Sequence, residues 1–232
     1  MLLYYILTLF FTNFKYLYIE RVNKYMKKLL ITFCLGLCIA VNICGCSKEV
    51  KPLTSDDITA YSSQMSNDPL SGDITLNGVK YSLPVNVKSF DDNGWKFNNF
   101  DSKNSDLENN YYSDSIILDD GKKNKNTAIT STIYNTSGST VKIKDAMVGA
   151  IRISKTSDYK NTVVLPNGIT LESTYDDVIA AYGAPKVDYF DQNGKIYYSE
   201  SDIGKYGKAL TIGFDTNTKV IKEITLQNIP RE

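Results

Sequence analysis

The stretch Asn167-Gly-Ile-Thr-Leu-Glu-Ser-Thr-Tyr-Asp-Asp-Val-Ile-Ala-Ala-Tyr-Gly-Ala-Pro185 marks both ends of one helix, and the fold is read outward from it. Ser173 or Thr174 caps the start, with Asp176 or Asp177 three residues on as the carboxylate of a capping box. Tyr175, Val178, Ile179 and Tyr182 recur at i, i+3, i+4 and i+7, so one stripe of the helix is apolar and needs a sheet to bury it. Gly183 suits a left-handed stop, and Pro185 blocks continuation.

Strands follow the helix. Lys186–Asp191 and Lys195–Glu200 flank Asn193-Gly194, a type I′ hairpin signal. Lys208–Asp215 and Lys219–Gln227 flank Thr216-Asn217-Thr218. Leu210, Ile212 and Phe214 alternate with small or polar residues, as do Ile224 and Leu226, which predicts one buried and one wet face. A similar order occurs earlier. A hairpin around Asn77-Gly78 precedes Pro84, which suits a first helical turn; Val87 and Phe90 make the apolar side and Gly94 the stop. Strand patterns then cover Tyr112–Asp119, Thr127–Asn135, Thr140–Lys144 and Val148–Ser154. The order helix, glycine, antiparallel strands therefore comes twice, which predicts an α+β fold of two tandem two-layer units, each a short helix packed on a mostly antiparallel sheet. Their expected spans are 73–160 and 161–232.

The chain ahead of these units reads as targeting rather than fold. Met26-Lys27-Lys28 precedes the apolar run Leu29–Gly45, which closes at Ile43-Cys44-Gly45-Cys46-Ser47. A basic start, an apolar middle and small residues before a cut describe a secretory leader over residues 26–45. The alternative, a retained transmembrane helix, has only 17 residues to work with, the short limit for crossing hydrocarbon, and lacks a basic stop cluster behind it. Residues 1–25, apolar but interrupted by Asn13 and Lys15, read as a spurious extension ahead of Met26, with a second membrane segment as the alternative. Residues 46–72, polar and marked by Pro52 and Pro69, read as a flexible tether, with a short helix through Asp56–Met65 as an alternative.

Composition narrows the chemistry. All four cysteines, Cys34, Cys38, Cys44 and Cys46, lie in or at the end of the leader, so the remainder offers no disulfide. The chain has no histidine, which excludes zinc sites of Cys/His type and the Ser-His-Asp and Cys-His triads. Residues 1–45 hold five of the 26 basic and one of the 26 acidic residues, leaving a net charge of −4 beyond them. Such a surface gives no support to nucleic-acid binding. Asp91-Asp92, Asp119-Asp120 and Asp176-Asp177 are paired carboxylates, but adjacent side chains diverge and each pair has a turn or helix-start explanation. Asp101–Asp106 lacks the glycine and terminal acid of a calcium loop, Lys122-Lys123-Asn-Lys125 is a short basic turn, and no phosphate-binding glycine motif occurs. No metal or dissociable cofactor is expected.

Two resemblances attach to these residues. Ile43-Cys44-Gly45-Cys46 resembles the lipobox of bacterial lipoproteins, which implies cleavage between Gly45 and Cys46, a diacylglycerol lipid on the Cys46 thiol, and anchorage to the outer face of the cell membrane. Gly168-Ile-Thr, Asp177-Val-Ile and Tyr182-Gly-Ala-Pro185, with strands behind, resemble the α/β unit of SmpA/OmlA (BamE-type) lipoproteins and the β-lactamase-inhibitory-protein-like fold, over Asn167–Gln227. The whole chain looks like lipoproteins of low-G+C Gram-positive bacteria, for which a role in outer-membrane assembly does not carry over. The resemblance implies a binding scaffold: helices on one face of a sheet, the other face open to a protein.

Strand alternation names that open face. If Leu210, Ile212 and Phe214 face the helix, Thr211 and Thr225 face away; Tyr197 or Tyr198 joins them, and Tyr189 or Phe190 faces the same choice. The expected function is a membrane-anchored, non-catalytic module that binds a protein or cell-envelope component. A carboxylate-based extracytoplasmic hydrolase and a solute-binding lipoprotein are the alternatives.

Overall fold

Helices and strands form where apolar periodicity and turn residues place them, across the residues that the computed structural model describes: 52–98, 103–119, 128–156, 159–201, 204 and 206–230. These belong to a unit running from Val50 to Glu232. In chain order come α1 (Ser55–Ser62), β1 (Asp73–Leu76), β2 (Val79–Ser82), β3 (Val85–Asn86), α2 (Val87–Asp92) and β4 (Lys96–Phe97). Then follow β5 (Asp106–Leu107), β6 (Tyr111–Asp119), β7 (Ile129–Asn135), β8 (Val141–Lys142) and β9 (Met147–Ser154). β10 (Val163–Val164) leads to α3 (Tyr175–Tyr182), β11 (Val187–Tyr189), α4 (Phe190–Asn193), β12 (Lys195–Ser199), β13 (Gly207–Phe214) and β14 (Ile221–Ile229).

The expectation of two tandem units is overturned by the pairing. One nine-stranded sheet runs in the order β11-β12-β13-β14-β9-β7-β6-β4, with β3 also paired to β9. The join falls at the expected boundary: β9 and β14 are antiparallel neighbours, from Glu223 opposite Ser154 to Gln227 opposite Ala150. A second link crosses the same boundary, since β10 pairs with β1 in a smaller sheet. The physical reason is edge satisfaction. Separate sheets would leave the backbone groups of β9 and β14 unpaired. Joined, Ile151 and Ile153 continue the buried surface of Leu226 and Ile224, and a single core results.

The defining helix forms as α3. Thr174 is its cap: the Asp177 N–H donates to the Thr174 hydroxyl at 3.3 Å, and the Thr174 N–H donates to the Asp177 carboxylate at 2.8 Å. Its underside is held by aromatics. Tyr175 packs on Phe190 and Phe214 at 4.6 and 5.6 Å, and Tyr182 meets Tyr198 edge to face at 5.6 Å. The Tyr182 hydroxyl donates to the Pro166 carbonyl at 2.7 Å, and burial pushes its phenol far up.

Three local readings change. The β11–β12 connection is not a two-residue turn on Asn193-Gly194. The Asp188 carboxylate accepts the Phe190 N–H at 2.9 Å, opening the helical turn α4, which Gly194 ends at φ 72°. Pro84 lies ahead of β3, and Asn86 caps α2 instead. Within the expected tether, α1 carries its own capping box from Thr54 and Asp57, Met65 is buried, and the Asn167 amide donates to the Asn67 carbonyl at 3.1 Å.

Asp73 ties that N-terminal segment to the first hairpin. Its carboxylate is 7% exposed and accepts from the Ser66 N–H at 2.9 Å, from the Ser82 hydroxyl, and from Lys80 at 3.3 Å. Burial pushes its pKa up, but the hydrogen bonds from Ser82 and Ser66 and the Lys80 charge outweigh this and hold it below the usual range. A depressed folded-state pKa contributes stability above the unfolded value of about 3.9, and that stability is lost as pH falls through the folded value. Asp73→Asn is expected to cost about 1–3 kcal/mol at pH 7, because an amide removes the counter-charge of Lys80, which keeps only the Gln64 carbonyl at 2.6 Å, and leaves one donor unmatched. The penalty should shrink at pH 3. Urea midpoints of both proteins at the two pH values check this.

Candidate functional site

Antiparallel register brings residues from distant parts of the chain onto one line. Tyr197, Thr211, Thr225, Arg152, Thr130 and Ile117 stand opposite one another on β12, β13, β14, β9, β7 and β6. At about 4.8 Å between strands, the row is roughly 24 Å wide. Its alternating neighbours Ile196, Ile212, Ile224 and Ile151 point the other way and are fully buried in the core. None of the six row residues is buried. Among the described residues this is the open face of the sheet.

The middle of the row is polar and the ends are apolar. Arg152 is exposed and has neither an ion pair nor a hydrogen bond among the described residues, whereas Glu223 one row away is shared by Lys195 at 3.6 Å and Ser154 at 3.3 Å. Ile117 stands at one end. At the other, Tyr197 meets Tyr189 edge to face at 6.2 Å, and Tyr189 is exposed on the outermost strand.

The six residues named from alternation therefore divide. Tyr197, Thr211 and Thr225 lie in the row, and Tyr189 adjoins it. Tyr198 points inward, 6% exposed, with its hydroxyl donating to the Gly183 carbonyl at 2.9 Å, and burial pushes its pKa up to about 12. Phe190 packs beneath α3 against Tyr175 and Phe214. Arg152, Thr130 and Ile117 escaped notice. The signal for Arg152 was present in the alternation Ile151-Arg152-Ile153, but only the β9–β14 pairing puts it beside Thr225.

The same face ends in tyrosines. Tyr111, Tyr112, Tyr134 and Tyr206 line a hollow of about 350 Å³, floored in part by Ile229. Tyr112 and Tyr206 stand at 83° to one another with centroids 6.2 Å apart. Two bulged registers, between Ser113 and Ile116 and between Thr132 and Ile133 with Gly149 the extra residue opposite, bring these rings together. Each bulge breaks the simple alternation, so no period in the sequence reveals the cluster.

Carboxylate pairs are engaged locally. Asp91 meets Lys96 at 2.8 Å and Lys103 at 3.7 Å, and its carboxyl is held below the usual range, chiefly by the Lys96 hydrogen bond. Asp92 pairs with Lys88, Asp177 closes the α3 cap, and Asp176 lies 3.9 Å from Lys219. Among the described residues, no group of three acids, histidines or cysteines is placed to hold a metal, and no helix is long and apolar enough to cross a membrane. Gly45, Cys46, Asp120 and the basic turn Lys122–Lys125 lie outside the described residues. No protein-family model, curated protein or solved structure matches this chain.

Proposed function

We propose that this protein is a lipid-anchored, extracytoplasmic binding module, held to the membrane by a diacylglycerol on Cys46, whose open sheet face receives a protein or cell-envelope partner. One observation carries the reading: a row spanning six strands that nothing covers among the described residues, with an unpaired Arg152 at its centre and apolar side chains at its ends. Arginine and tyrosine are the residues that protein interfaces concentrate, and a guanidinium without an internal partner is free to meet a carboxylate or phosphate from outside. The resemblance of Asn167–Gln227 to BamE-type lipoproteins agrees with a scaffold role. No side chain in the row has the chemistry of a nucleophile paired to a base.

A photo-crosslinking amino acid at Thr225 is expected to trap a partner on intact cells. The same group at Ala180, exposed on α3, serves as the control for the covered layer. Arg152→Ala should reduce the Thr225 adduct at least about tenfold, as expected for a central charged contact. Equal adducts from both positions, or none from Thr225, would reject the open face as the binding surface.

A further inference from the structure

We infer that the tyrosine-lined hollow at the end of the open face binds a neutral, hydroxyl-bearing ring, a pyranose of an envelope glycan. The inference deepens the binding reading and rests on it in that both use the same face. The two fail separately, because the hollow lies about 13 Å along the strands from the Thr225 row, the distance from Thr225 to Ile229 on β14.

The lining decides the ligand class. Among the described residues the lining is aromatic, apolar and neutral-polar, with no charged side chain. Tyr206 and Tyr111 are 43% and 60% exposed, so both rings present accessible faces at the hollow. Tyr112 and Tyr206 form two walls at right angles, suited to the flat face and the edge of a saturated ring. The volume falls at the small end of ligand pockets, which run about 300–1,000 Å³.

Among the described residues, polar groups in the hollow are left without protein partners. Tyr134 is only 5% exposed, yet its hydroxyl makes no hydrogen bond among the described residues, and burial holds its pKa up. The side chains of Asn110 and Thr136, on the same lining, also have no partner among the described residues. These groups face the opening of the hollow, where a ligand that carries both donors and acceptors can replace their water. A quaternary ammonium would use the rings and leave these three groups unmatched. A proline-rich segment would engage the rings but offers carbonyls alone, with no donor for the Asn110 and Thr136 oxygens. A sugar supplies apolar ring faces together with several donors and acceptors.

The test uses the full lipidated chain in phosphatidylglycerol vesicles and saturation-transfer NMR. The probes are chitotriose and cellotriose, with choline chloride and tetraproline as comparison ligands. At least one sugar is expected to bind saturably below about 10 mM. Tyr206→Ala should weaken it at least about tenfold through loss of a stacking wall. Tyr134→Phe keeps the ring and its packing, and should weaken binding about three- to tenfold through loss of one hydrogen bond. Absence of binding by both sugars, affinity unchanged in Tyr206→Ala, or choline or tetraproline binding more tightly than either sugar overturns the inference. If the sugars fail while Thr225 still traps its partner, the open-face reading survives and this one does not.

Discussion

Gly149→Ala is expected to destabilise the protein by about 1–3 kcal/mol and to close the tyrosine hollow at the same time. A Cβ at position 149 would lie 2.6 Å from the Ile229 side chain and 2.7 Å from the Tyr134 ring, distances that real contacts do not reach. Neither neighbour has an easy escape. Tyr134 is a rigid ring buried at the bulge, and Ile229 meets position 149 through a carbon near its own backbone. At about 2–4 °C per kcal/mol for a domain of this size, the melting temperature should fall by roughly 2–12 °C. Thermal melts read the stability, and sugar titration reads the hollow. The combined Gly149→Ala, Ile229→Ala protein should lose less than the sum of the two single losses, because truncation of Ile229 removes one of the two clashing groups. Fully additive losses would mean that the glycine serves something other than this approach.

The two halves of this molecule were unequally legible. Where local rules govern, the sequence suffices: Thr174 and Asp177 cap α3, Asn77-Gly78 turns the first hairpin with both residues at positive φ, and Leu210, Ile212 and Phe214 point inward. Each of these depends on neighbours within about four residues. The sheet as a whole does not. Whether two sets of antiparallel strands remain apart or join depends on what the edges of β9 and β14 find, and edge pairing leaves no periodic trace in either strand. For that reason two units were expected where one sheet forms.

The candidate site shows the same division. Thr211 and Thr225 could be assigned to a face from the period of two, and the choice between Tyr197 and Tyr198 needed only the inward position of Ile196 and Leu210. Arg152 became a candidate only through its register with Thr225, and the tyrosine hollow only through two irregular registers. Residues set by non-local pairing are thus the ones that carry the functional proposal. The sequence supplies the side chains, and the join at β9–β14 decides that they meet.

Cys46→Ser is expected to abolish incorporation of labelled palmitate completely, whereas Cys44→Ser, two positions earlier, should leave it intact. The prediction rests on the proposed anchor and on the order of residues at the junction: with Gly45 just ahead of it, Cys46 would become the new first residue, and Cys44 would depart with the leader. A diacylglyceryl group adds two chains, each methylene contributing about 0.8 kcal/mol on burial, where one chain alone holds a protein only marginally. With the thiol gone no such group can be attached, and on that proposal the polypeptide would keep residues 26–45. Membrane fractionation alone is an ambiguous readout, since an uncut apolar run of 17 residues still adheres to a bilayer. The decisive measurement is therefore the label together with the N-terminal mass. Palmitate retained on the Cys46→Ser protein, or an unmodified full-length chain in wild-type cells, removes the anchor. The open sheet face would then have to find its partner in some other compartment.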